Sequence, residues 1–149
     1  MANHEEFAAA VAASFKFLET DYGMRPGLLQ SDAGRRWISY GNVNVKVVVE
    51  HELPSQCSVT VEDLRFVKRD PLERGEFDLD EVVAVSGSRP PRQPNPRSLS
   101  EAVARVAETL KAAGSSVLQG DFEKLHARQR RAVEALRVHH PLDGPLREQ

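Results

Sequence analysis

The order of hydrophobic periods along the chain predicts an α+β fold: an N-terminal helix packed on a small antiparallel sheet of three or four strands in a meander, followed by two C-terminal helices. Three observations lead there. Phe7, Val11, Phe15 and Leu18 recur at helical spacing. Val43, Val45, Val47 and Val49 alternate with Asn44, Lys46 and Glu50, and Cys57, Val59 and Val61 alternate with Ser58, Thr60 and Glu62, which is the period of half-buried strands. Helix, strands and helices are also segregated in sequence, without the alternation that builds a parallel sheet.

Taken in order, the first helix spans His4 to Asp21, with Asn3 and Glu6 spaced as a capping box. Gly23 is placed to stop it in the left-handed conformation, and Pro26 and Gly27 prevent continuation. The segment from Arg25 to Gly34 reads equally as a short edge segment or as a loop pinned by Leu28 and Leu29. Trp37 to Tyr40 and Val43 to Val49 flank Gly41 and Asn42, whose leading glycine fits a type II′ hairpin. A turn containing Pro54 and Ser55 leads into the Cys57 strand. After Asp70 and Pro71, Asp78 and Glu81 form a cap signature that favours a short helix, although Val82, Val83 and Val85 suit a strand as well. The stretch 88–97 holds four prolines and three arginines and reads as an exposed loop. Ser98 and Glu101 open a helix striped by Leu99, Val103, Val106 and Leu110 and closed by Gly114. Asp121 caps a last helix carrying Phe122, Leu125, Val133 and Leu136 that ends before Pro141. These elements predict one domain over 1–138 and a flexible tail over 139–149.

The composition narrows the chemistry. At 149 residues the chain can bury a core without metal or disulfide support. With 20 Lys plus Arg against 22 Asp plus Glu, the net charge of -2 points away from nucleic acid or an anionic membrane as the main partner. The single cysteine, Cys57, has no partner for a disulfide and suits a reducing, cytoplasmic compartment as a core thiol. Met1 to Glu6 lacks a basic start, and the uncharged run Phe7 to Phe15 is too short to span a bilayer.

Residues that would demand catalysis are sparse. Adjacent helical residues point about 100° apart, so His139 and His140 do not grip one metal ion, and His126 lies thirteen residues earlier. The histidines near the helix C-terminus, His139 and His140, read as solvated where positive charge is favourable, and no metal or cofactor is expected. Ser86-Gly87-Ser88 lacks the frame of a nucleophile elbow, and no phosphate loop is present. A non-enzymatic protein is the expectation.

Two charged features remain. From Glu62 to Glu81 eight acids face four bases, and Asp70, Glu73, Glu76, Asp78, Asp80 and Glu81 are the candidate partner-binding residues, together with the outward side of the strands. Complementary fields speed the capture of a basic partner. Arg128, Arg130, Arg131 and Arg137 on the last helix are diluted by Glu123 and Glu134 and lack aromatic neighbours for stacking on bases.

Phe17-Leu18 followed by Asp21-Tyr22-Gly23-Met24, then Tyr40 and the valine strand, Glu76-Phe77-Asp78-Leu79, and Leu118-Gln119-Gly120-Asp121-Phe122 occur in an order that resembles small bacterial immunity-protein-like families found beside polymorphic toxins. The resemblance spans about residues 5 to 137. It implies a cytoplasmic, non-enzymatic α+β inhibitor that binds a toxin domain, and it transfers no catalytic residues. The Arg89 to Arg97 insertion departs from that pattern. The alternative from another class is a chaperone or assembly adaptor for a secreted effector. Monomer and dimer both remain open.

Overall fold

The computed structural model describes residues 4–52, 56–88 and 93–139. Its N-terminal helical region is divided into α1 (His4–Ser14) and α2 (Lys16–Tyr22), where one continuous helix is expected. On a straight helix Phe15 and Phe17 would point about 200° apart. The break at Phe15 lets both rings bury, with their centroids 6.1 Å apart. Gly23 ends α2 at φ 64°, a backbone conformation that suits glycine. The expected Asn3 cap lies outside the described residues.

The sheet is wholly antiparallel. Its strands are β1 (Arg25–Pro26), β2 (Gln30–Asp32), β3 (Arg35–Gly41), β4 (Val45–Glu52), β5 (Gln56–Asp63) and β6 (Glu76–Asp78). The order is β1-β3-β4-β5-β6, and β2 pairs with the other end of β3. Residues 25–32 therefore form one interrupted edge, which resolves the open question about that segment in favour of edge pairing. This edge and β6 bring the strand segments to six, against the three or four expected. β6 escaped because three residues inside a charged segment carry too little alternation to register.

The β3–β4 hairpin exists but turns two residues later than the Gly41-Asn42 position. Gly41 is still paired with Lys46, and the Asn42 side-chain oxygen accepts from the Asn44 and Val45 amides at 2.9 Å each. This Asn-centred turn removes the need for a type II′ glycine. Val43 consequently leaves the strand alternation and is 86% exposed in the turn. The expected turn at Pro54 and Ser55 lies outside the described residues.

Helices α3 (Leu79–Ser86), α4 (Leu99–Ala113), α5 (Ser115–Leu118) and α6 (Glu123–His139) follow among the described residues. The Asp78–Glu81 capping box is formed in both directions, and it decides the 79–86 segment as a helix. Ser98 accepts from the Glu101 amide, and Asp121 accepts from the Glu123 amide at 3.1 Å. Gly114 ends α4 for a reason other than left-handed geometry: a Cβ there would sit 2.7 Å from the Leu110 carbonyl. α5 was not expected. Of the 88–97 stretch, residues 89–92 lie outside the described residues, as do 140–149 of the proposed tail.

One side of the sheet carries the core. Ile38, Val49 and Val59 form one row, and Tyr40, Val47, Val61 and Phe77 the next. They bury with Phe7, Val11, Phe15 and Leu18 from the N-terminal helices, Val82 from α3, Val103 and Leu110 from α4, and Phe122 and Leu125 from the α6 end, in one cluster. Burial and then the Glu19 charge push the Tyr40 phenol up to about 12.

Candidate functional site

The register places a second set of side chains on the opposite side of the same strands. Trp37 faces Glu50 and Glu50 faces Ser58; Ser39 faces Val48, Thr60 and Asp78 in turn; Gly41 faces Lys46, Glu62 and Glu76. Directly opposed residues share a side of a sheet, so these rows form one continuous surface. Trp37 and Val48 are half-buried and stand apart from the core cluster, whose helical members all gather on the other side. Among the described residues no helix packs across this outer surface.

Its charge is lopsided. Asp32, Glu50, Glu52, Glu62, Glu76 and Asp78 lie on it with Arg25, Arg35 and Lys46, six carboxylates against three cations among the described residues. Arg35 is committed twice, to Glu50 at 3.5 Å and over the Trp37 ring at 5.3 Å. Glu52 and Glu62 make no ion pair among the described residues. Trp37 and Val48 are thus the apolar side chains among Ser39, Ser58 and Thr60, with carboxylates beside and around them.

The six acidic residues singled out from sequence fall into three settings. Glu76 and Asp78 lie on β6 and belong to the outer surface. Asp70, Glu73 and Glu81 are turned inward to the protein's own groups. Asp70 accepts from the Leu72 amide and pairs with Arg137, and both interactions, the amide first, hold its carboxyl below the usual range. Glu73 accepts from the Arg69 amide, and Glu81 binds Arg74 at 2.8 Å with Arg128 at 3.7 Å. Asp80 is exposed in the first turn of α3, apart from either set.

These bonds make the β5–β6 connection a fastened strap. Gln129 on α6 clamps the Arg74 backbone, accepting from its amide at 2.8 Å and donating to its carbonyl at 3.1 Å, while Arg65 donates to the Gly120 carbonyl at 2.6 Å. At its root His126 Nε2 donates to Asp63 at 2.9 Å, and Phe66 stacks on the imidazole at 4.6 Å. His126 is thus held between a carboxylate and an aromatic ring of the β5–β6 connection. A cleft of about 480 Å³ opens beside this pair, lined by Arg65, Arg69, Glu73 and Arg130 among others. The pair resembles the base and orienting acid of a hydrolase, and it ties the end of β5 to α6. One nitrogen is engaged by Asp63, and Nδ1 is buried without a hydrogen-bond partner, so neither is offered to a molecule in the cleft.

At the far end of the inner surface Arg36 is buried and donates from Nε to His51 Nδ1 at 3.2 Å. Burial, and secondly the Arg36 charge, hold the His51 imidazole below its ordinary value. Cys57 lies next in that row, half-buried, and burial pushes its thiol up to about 11, so at neutral pH it is the poorly nucleophilic protonated form.

Sequence reasoning missed Arg36, His51 and the Asp63–His126 pair. The strand period did contain a signal for the first: Arg36 is in phase with Ile38 and Tyr40, so alternation alone assigns it to the core side. The pairing across sixty-three positions carried none. Among the described residues no group of His, Cys, Asp and Glu is arranged to hold a metal ion, and no helix is long and apolar enough to cross a membrane. Compared with known proteins, the chain matches no family model, no curated protein and no solved structure.

Proposed function

We propose that this chain is a cytoplasmic, non-enzymatic binding protein of the immunity type, which neutralises a bacterial toxin domain by laying the outer surface of its sheet against it. The single observation that carries this reading is the helix-free surface that bears Trp37 on β3, Val48 and Thr60 on the next two strands, and charged residues among and around them. Interfaces concentrate their energy in aromatic anchors ringed by polar groups, and Trp37 meets that description. The surface is rigid because the inner side of the same strands is fully packed, so little ordering opposes docking.

The test is to sequence the flanking reading frames and to titrate the purified chain with the C-terminal domain of a secreted toxin found there, whose absence would also count against the reading. Titration calorimetry is expected to give a stoichiometric complex with loss of toxin activity. Trp37→Ala should weaken the complex at least about tenfold while the unfolding midpoint stays put. Absence of a complex at micromolar concentration would remove the reading.

An adaptor for a secreted effector is favoured by a different observation, the exposure of Val67, Leu72 and Leu136 near the strap and α6. Light scattering distinguishes it, since an adaptor using those residues forms a dimer or an effector complex that Leu136→Lys disrupts.

A further inference from the structure

We infer that the occupant of the outer surface is a cationic protein face, rich in arginine or lysine around an apolar centre, held by Glu50, Glu52, Glu62 and Glu76. This rests on the docking role of that surface and specifies the chemistry of its partner.

Charge decides among the possible occupants. With six carboxylates against three cations, a second copy meeting the surface by two-fold symmetry would bring like charges together. A nucleic acid would be repelled for the same reason, since its affinity comes from neutralised phosphates. A cationic protein face gains on both counts. Arg35 is already shared between Glu50 and Trp37, so the pattern the partner must match is on the surface itself: a cation lying between a carboxylate and the indole. Glu62 and Glu76 extend the acidic rim across β5 and β6 beside Lys46. Thr60 and Val48 lie between the two acidic ends and leave room for an apolar contact.

The fold provides its own reporter. Trp37 is the chain's one tryptophan, so fluorescence excited selectively at the indole, away from tyrosine absorption, reads this surface alone. The probes are two synthetic twelve-residue peptides, one carrying six arginines and the other six glutamates, titrated into the full chain with fluorescence and amide chemical shifts followed together. The arginine peptide is expected to saturate, to shift Trp37, Val48 and Thr60, and to lose at least about tenfold in affinity between 50 and 300 mM salt. The double variant Glu50→Lys, Glu62→Lys should lose a further factor of about ten or more.

Shifts centred on α6 or on residues 69–74, equal binding of the glutamate peptide, or a dimer buried through Trp37 in sedimentation would each overturn the inference. The two proposals fail separately. If the toxin complex forms but ignores salt and both lysine substitutions, the immunity reading stands and the cationic-partner inference falls. If the arginine peptide maps to the surface while the toxin does not bind, the reverse holds.

Discussion

The two sides of one sheet share strands, register and backbone, yet the chain treats them oppositely. Inward, valine, isoleucine, tyrosine and phenylalanine interlock with helices, and each end is closed by a polar pair, the buried Arg36–His51 at one and the part-buried Asp63–His126 at the other. Outward, serine, threonine, carboxylates and the lone tryptophan remain accessible. The difference teaches where a function search belongs. The ionisable pairs that the fold brings together, Arg36–His51 and Asp63–His126, sit on the inner side, whereas the outer side carries charge in excess of what its own pairs neutralise.

The contrast is broken most severely from inside. Phe77 is buried between Phe122 and His126, so Phe77→Ala opens a cavity and should lower stability by about 3–5 kcal/mol in urea unfolding. Val48, on the other side of the neighbouring strands, should tolerate alanine at less than about 1 kcal/mol. Comparable losses at the two positions would mean that the outer side is packed against something, and the docking proposal would fail with it.

A finer cut runs through the acidic segment. Asp78 caps α3, so Asp78→Ala should remove about 0.5–2 kcal/mol, whereas Asp80→Ala should stay within about 0.5 kcal/mol. A charge-reversal series over all six acids would confuse lost capping with lost recognition. Glu76→Lys separates them, because Glu76 lies on the outer surface and its carboxylate caps no helix and joins no ion pair among the described residues.

The legible part of the fold was what depends on local periods. Valine alternation located β4 and β5, and cap residues located α3, α4 and α6, because both signals arise from residues within a few positions of one another. The rest is non-local. β6 and the broken β1–β2 edge exist because neighbouring strands offer them hydrogen bonds, a fact absent from their own three-residue patterns. The acidic candidates suffered likewise: composition counted Asp70 and Glu81 as free charge, but Arg137 and Arg128 reach them from α6, far along the chain. The extra valine at 48, out of phase with Val47 and Val49, was the one local hint that the outer side keeps an apolar centre.

The smallest expected effect tests the inner side's polar closure. His51 has its folded pKa lowered by burial and then by Arg36, so the neutral imidazole is the form folding favours. Its contribution is complete above the unfolded value of 6.5 and is lost as pH falls below it, when the imidazole must charge beside a guanidinium. The urea midpoint should therefore decline from pH 7.5 to pH 5. His51→Gln keeps an acceptor for the Arg36 Nε–H and removes the titration, so its decline should be shallower. His4, which lies 3.4 Å from the Arg36 guanidinium, and His126 beside Asp63 are present in both proteins, so the difference between the two curves isolates His51. Parallel curves would place the charge of position 51 outside the forces that hold this end of the sheet closed.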